Sequence, residues 1–184
     1  METNHKLIAI VGMPGAGKTV AADFFRSKNL PVLRFGDQTD ISLKELNLPR
    51  NEKNERFVRE KLRKDFGMAA MAIKIEPRIL ETAKTNTVII LDGLYSWEEY
   101  IYLKRKFPVL QLLCVYAPPR VRYERLETRE VRPLTHAEAS SRDIAEIENL
   151  NKGGPIAIAD HCIINDGNEK EFQQQLELMY KKLV

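Results

Sequence analysis

The stretch Gly12-Met13-Pro14-Gly15-Ala16-Gly17-Lys18-Thr19 directly follows the apolar run Leu7-Ile8-Ala9-Ile10-Val11, and its reading decides the fold. It matches G-x-x-x-x-G-K-[ST], the loop that cradles nucleotide phosphates. An oligophosphate carries several negative charges and needs many donors at close range. Glycines let the backbone curl until successive N–H groups point inward, and they leave no side chain to hold the phosphate off. Lys18 adds a mobile positive charge for the terminal phosphates, and the Thr19 hydroxyl is placed to ligate Mg²⁺. A helix expected over residues 18–27, with Val20 in its first turn, points its positive end at the same spot. A buried strand before the motif and a helix after it are the context this loop requires. Gly12 through Val20 is therefore read as a nucleoside triphosphate site.

Outward from this loop, strand-like apolar runs recur at residues 6–11, 32–35, 87–92, 109–116 and 161–164. Between them the pattern predicts helices over 97–106, from Pro118-Pro119 onward, over 136–150 and over 169–183. Residues 41–82 read as a helical region broken at Pro49 and Gly67. Within it Phe57, Leu62, Phe66, Met68, Met71 and Ile75 recur at near-helical spacing. Gly153-Gly154-Pro155 reads as a break. Five near-continuous apolar strands separated by helices argue for an α/β fold with a parallel sheet covered on both faces. Ligands collect at the carboxyl ends of such strands, where the P-loop, Gly36-Asp37, Asp92-Gly93 and Asn165-Asp166-Gly167 all fall.

The 184 residues fit a single domain, and 43% hydrophobic with 30% charged residues is the composition of an ordinary soluble globule. A net charge of +3 is too small to argue for nucleic acid. No apolar run approaches the roughly 20 residues needed to cross a bilayer. The polar residues 1–6 and the short run after them do not form a secretory leader, so a cytoplasmic setting is expected. Cys114 and Cys162 both lie in strand-like runs and are expected to be buried, reduced thiols.

Three groups carry further chemistry. Asp92 ends the run Val88 to Leu91, where a carboxylate can hold Mg²⁺ through water beside Thr19; the plainer alternative is a turn cap. Arginines 120, 122, 125, 129, 132 and 142 cluster in a chain of small net charge. Arg122, Arg125 and Arg129 share one helical face, and the group reads as a phosphate-facing lid. Asp37 after Gly36 can serve as general base on a hydroxyl acceptor, or simply form a turn. Tyr95 and Trp97 are as well explained by packing as by contact with an acceptor. His5, His136 and His161 lack ligand-like spacing, and His136 reads as a surface residue.

These residues together resemble the P-loop small-molecule kinases of the adenylate kinase and dephospho-CoA kinase type, and most of all a mainly archaeal branch related to both. The likeness covers nearly the whole chain. It runs through the P-loop, Pro31-Val32 with Gly36-Asp37, residues 62–67, Asp92-Gly93, Arg125-Leu126-Glu127-Thr128-Arg129, Arg142-Asp143, and Ala159-Asp160 through Asn165 and Gly167. It implies a three-layer P-loop NTPase fold of the NMP-kinase-like kind, with a five-stranded parallel sheet in the order 2-3-1-4-5. It further implies one kinase domain over 1–184, a helical acceptor-binding insertion at about 37–83, and a short arginine-rich lid at about 120–142. Arg125 would stack on adenine and Arg129 reach the phosphates. Arg142 would contact the transferring group, and the backbone of Asn165 to Gly167 would read the adenine edge.

Two departures stand out. The arginine that follows Gly-Asp in adenylate kinases is here Asp40, and the Phe-Pro-Arg after Asp-Gly is Leu94-Tyr95-Ser96. Both usual grips on an acceptor phosphate are missing, and Arg34, Arg56, Arg59 and Arg63 are the candidates to replace them. An acidic residue activates a ribose hydroxyl in dephospho-CoA kinases, a role open to Asp37 or Asp40. The function expected is ATP- and Mg²⁺-dependent phosphoryl transfer to a nucleotide-like small molecule by a monomer or small homo-oligomer. The alternative is a nucleotide-dependent switch or assembly factor acting on a protein or RNA partner.

Overall fold

Five strands form one sheet in the computed structural model, which describes residues 5–184. They are Lys6–Val11 (β1), Val32–Arg34 (β2), Val88–Asp92 (β3), Leu110–Tyr116 (β4) and His161–Ile164 (β5). Nine helices lie among the described residues. They are Lys18–Ser27 (α1), Asp37–Glu45 (α2), Glu52–Phe66 (α3), Ala70–Ala83 (α4), Trp97–Lys106 (α5), Pro119–Thr128 (α6), His136–Leu150 (α7), Gly153–Ala157 (α8) and Glu169–Leu183 (α9). The strands pair in parallel in the order β2-β3-β1-β4-β5, as the kinase resemblance implies.

β1 shows why the sheet needs two covers. Its residues alternate between faces, and both sets are buried. Ile8 and Ile10 pack with Phe25 of α1 and with Phe172 and Leu176 of α9. Leu7, Ala9 and Val11 pack on the other side with Leu62 of α3, Ile75 and Ile79 of α4, and Leu103 of α5. The result is a three-layer sandwich. Helix starts are fixed locally: Asn51, Ser96, Thr135 and Asn168 each accept a hydrogen bond from the N–H three residues on. In the last three, a Glu side chain returns the bond to complete a capping box. Parallel strands put every carboxyl end on one edge, so Gly12, Gly36, Gly93 and Asn165 converge there.

Three expectations are corrected. The helical region divides into α2, α3 and α4 around Pro49 and Gly67 as expected, but the buried stripe of α3 is Glu55, Val58 and Leu62. Phe57 lies one position off that stripe and Phe66 is the last residue of the helix, and both are exposed. Gly153-Gly154-Pro155 starts the short helix α8 rather than breaking the chain. Cys114 is buried, but Cys162 is exposed. The two are register partners, yet β5 is an edge strand with a neighbour on one side only. Both are free thiols.

Candidate active site

The P-loop is closed from behind and open in front. A Cβ on Gly15 would come within 2.7 Å of the Arg122 carbonyl oxygen, and one on Gly17 would run into the Asn165 amide. Gly17, at φ 103°, is the N-cap of α1, and no side chain caps that helix. Its first N–H groups are therefore left for an anion. Lys18 folds back over the loop and donates to the Met13 carbonyl at 3.0 Å. Burial first, and then the charge of Lys152, bring the Lys18 ammonium down to about 7, against the opposing pull of Glu146 and Asp92. The following residues, Thr19 and Val20, are exposed at the mouth.

Asp92 ends β3 in register with Ile10 of β1 and Arg34 of β2. The Arg34 Nε lies 3.5 Å from its carboxylate. Burial raises the Asp92 carboxyl above the usual range, while Arg34 and Lys18 pull it the other way. A half-enclosed carboxylate and a free hydroxyl are hard oxygen donors, and they fit Mg²⁺. Among the described residues no three His, Cys, Asp or Glu side chains gather as a metal cluster. A cation here would thus rest on Asp92, Thr19, phosphate oxygens and water, the mixture Mg²⁺ prefers.

The arginine cluster divides into different tasks. Arg122 is buried and faces inward, not toward a phosphate. It pairs with Asp143 of α7 at 2.6 and 3.0 Å, and donates to the Pro14 carbonyl at 3.0 Å and the Ala117 carbonyl at 3.0 Å. It braces the P-loop against α6 and α7. Arg120 is exposed. Arg125 donates to the Asn165 carbonyl at 2.9 Å and reaches the Gly167 carbonyl at 3.5 Å. Asn165 donates in turn to the Ala16 carbonyl at 2.8 Å. Arg125, Asn165, Gly167 and the P-loop are therefore one stitched unit. Arg129, Arg132 and Arg142 do face the open space of the site.

That space is a cavity of about 600 Å³ between the α2–α4 insertion and the α6–α7 segment. Its walls carry Arg34, Arg50, Arg59, Arg63, Arg129, Arg132 and Arg142 against Asp40, Glu52, Glu55, Glu99 and Glu146. Glu55 ties the two sides together, with Arg50 at 3.1 Å, Arg59 at 3.5 Å and Arg132 at 3.4 Å. Burial alone would push the Glu55 carboxyl up, but Arg50 and Arg132 hold it below the usual range. Asp37 does not line the cavity. Its carboxylate accepts from Arg78 of α4 at 3.2 Å, and Asp40, one turn on, takes the lining position. Arg56 pairs with Glu60 along the exposed side of α3 and is also turned away. Tyr95 lines the cavity with its ring on Gly93, whereas Trp97 packs on Gly154 and Tyr100.

Sequence reasoning missed Glu55, Glu99, Glu146 and Lys152. Glu99 carried a signal, since Ser96-x-x-Glu99 is a capping-box pattern. Its carboxylate accepts from the Tyr95 and Ser96 N–H groups at 2.7 and 3.3 Å, and burial raises it to about 7. A lone Lys before Gly-Gly and a Glu inside a polar helix carry no spacing signal.

The chain matches the AAA domain family over residues 8–146. A UPF0200 protein of Pyrococcus abyssi is 30% identical over 182 residues, covering 97% of each chain. A UPF0200 protein of Methanocaldococcus jannaschii is 30% identical over 180 residues, covering 97% of this chain and 90% of that one. Among solved structures, TT1252 from Thermus thermophilus superposes with a TM-score of 0.66 at 19% identity over 98% of both chains. Shikimate kinase from Bacteroides thetaiotaomicron does so with a TM-score of 0.60 at 17% identity, over 97% of this chain and 98% of that one. These two are likenesses of fold. The chain belongs to the AAA domain family and to the UPF0200 family.

Proposed function

We propose, from that membership and the geometry of the site, that the protein is an ATP- and Mg²⁺-dependent phosphotransferase acting on a nucleotide-like small molecule. The observation that carries this reading is the junction of two half-sites. Arg142 and Glu146 line the arginine-rich cavity and are also among the charges acting on Lys18. A group held in the cavity would thus lie within reach of the P-loop's terminal phosphate.

On this reading the P-loop N–H groups and Lys18 hold the triphosphate, while Arg125 and the Asn165 to Gly167 turn hold the base. Thr19 and Asp92 hold Mg²⁺, which when bound neutralises phosphate charge. Arg129 and Arg142 stabilise the negative charge that spreads over the moving group. Arg129 suits that role because it has no carboxylate partner among the described residues; its one side-chain bond is to the Arg132 carbonyl. Asp40 accepts the proton of the acceptor hydroxyl, a role its cavity position supports better than that of Asp37. Arg59 and Arg63 of α3 supply the anion grip that the Asp40 and Leu94-Tyr95-Ser96 departures remove. Insertion and lid together exclude water, which limits wasteful hydrolysis.

The test is a screen with γ-labelled ATP against nucleoside monophosphates, dephospho-CoA and nucleosides. Label is expected on one acceptor class. Robust ATP hydrolysis beside no transfer to any acceptor would count against a kinase and favour the switch or assembly-factor reading.

A further inference from the structure

One buried lysine lies behind the cavity wall, against the lining residues Glu146 and Tyr95. Lys152, between α7 and α8, is 2% exposed. Its Nζ donates to Oε2 of Glu146 and lies 5.0 Å from the centre of the Tyr95 ring. The other Glu146 oxygen, Oε1, accepts from the Arg142 Nε at 3.0 Å. One carboxylate therefore bridges two cations, one through each oxygen, as two oxygens of a phosphoryl group would. The Tyr95 ring rests on Gly93, the residue after Asp92, which places Lys152 at the carboxyl end of β3. Of all charged groups, Lys152 acts most strongly on Lys18.

A structural role explains this poorly. Taking an ammonium out of water costs several kcal/mol, and a buried ion pair is often replaceable by apolar side chains without loss. The α7–α8 junction is already held by other bonds. Asn151 takes a left-handed conformation, its amide donates to Glu98 at 2.9 Å, and the Lys152 N–H donates to the Glu146 carbonyl at 3.3 Å. Lys18, Lys152, Arg129 and Arg142 outweigh Glu146 and Asp92, which leaves an excess of positive charge suited to an oligophosphate.

We propose that Lys152 is a second phosphate-binding lysine, for which the Glu146 carboxylate and the terminal phosphate of a bound triphosphate compete. The proposal rests on the P-loop reading above. A terminal phosphate carries more charge than a carboxylate already shared with Arg142, and the four-carbon lysine stem is long enough to change partners. Glu146 keeps Arg142 when Lys152 leaves, so no buried carboxylate is left unpaired.

Calorimetric titration with Mg²⁺ and either β,γ-imido-ATP or ADP tests this without requiring an acceptor. Lys152→Met is expected to weaken the triphosphate analogue by about 10- to 100-fold and ADP by less than about threefold, the size of one lost charge-assisted contact. Lys152→Arg should recover part of the loss. The double variant Glu146→Gln/Lys152→Met removes both charges of the pair and should stay as weak as Lys152→Met. If the double variant restores triphosphate affinity, Lys152 is merely the counter-ion of Glu146 and the proposal is wrong. It is equally wrong if Lys152→Met weakens both nucleotides alike or neither. Melting temperatures check folding; should Lys152→Met not fold, the double variant against wild type carries the same comparison. A wild-type protein that binds neither nucleotide overturns the P-loop reading itself, and this proposal with it.

Discussion

Lys18 is the residue at which pH meets function. Its ammonium titrates at about 7, lowered by burial and by Lys152. A bound triphosphate favours the charged form and raises that value again. The linkage follows: affinity is full below about 7 and declines as pH rises above it, because binding must then return a proton to Lys18. Calorimetry at about pH 8 in buffers of different ionisation enthalpy should show proton uptake on triphosphate binding. Binding with no proton exchange would contradict the assignment of Lys18. The arginines give a second contrast. Arg122→Met leaves the Asp143 carboxylate buried without its partner, which costs about 3–5 kcal/mol of stability. Arg129→Ala removes no ion pair and should melt like wild type while losing about 10²- to 10³-fold in transfer rate. Thermal denaturation and turnover of the two variants check both statements. The strut Arg122 and the cavity arginine Arg129 lie seven residues apart, but α6 ends at Thr128 and Arg129 is extended. The expected shared helical face breaks there, so sequence spacing could group the two but not tell them apart. Which of them meets a buried partner depends on where α7 packs. For the same reason Asp37, turned to Arg78, could not be distinguished from Asp40.

At the scale of elements, α5 carries the most direct pH test. Glu99 closes its capping box from within the core, and burial raises its carboxyl to about 7. A raised value contributes stability at acidic pH that is lost as pH climbs from the unfolded value toward 7. Glu99→Gln keeps an acceptor for the Tyr95 and Ser96 N–H groups without the charge. Wild type should therefore lose melting temperature relative to Glu99→Gln between about pH 5 and pH 8. Parallel melting curves for the two proteins across that range would show that Glu99 stays un-ionised or is compensated. The elements themselves were largely legible. β1, α1, α5, α7, β5 and α9 fall on the residues their apolar period and capping signals mark. Failures occurred where tertiary contact decides. The inward stripe of α3 is set by what α2 and α4 present to it, and the exposure of Cys162 by β5 being an edge. Strand order came from a family resemblance, since apolar runs alone do not say which strands are neighbours.

Over the whole molecule, two apolar clusters pack on opposite faces of the sheet, and the candidate site residues gather along its carboxyl edge. The proposed triphosphate side is a single stitched unit of P-loop, Arg125 and the Asn165 turn. The proposed acceptor side is a cavity whose arginines come from β2, from α3 and the loop before it, and from the α6–α7 segment. Seven arginines face five carboxylates there, so a ligand must compete with Glu55 and Glu146 for its grip. That balance favours an anionic acceptor over a neutral one. The central claim is that the two halves work together, moving a phosphoryl group from ATP to a small molecule. The most direct measurement is the fate of the γ-phosphate when the protein is given labelled ATP and a low-mass metabolite extract. The account predicts label in a phosphorylated small molecule that depends on the extract and disappears with Lys18→Ala. Label recovered only as inorganic phosphate, in equal amount with and without the extract, would contradict it.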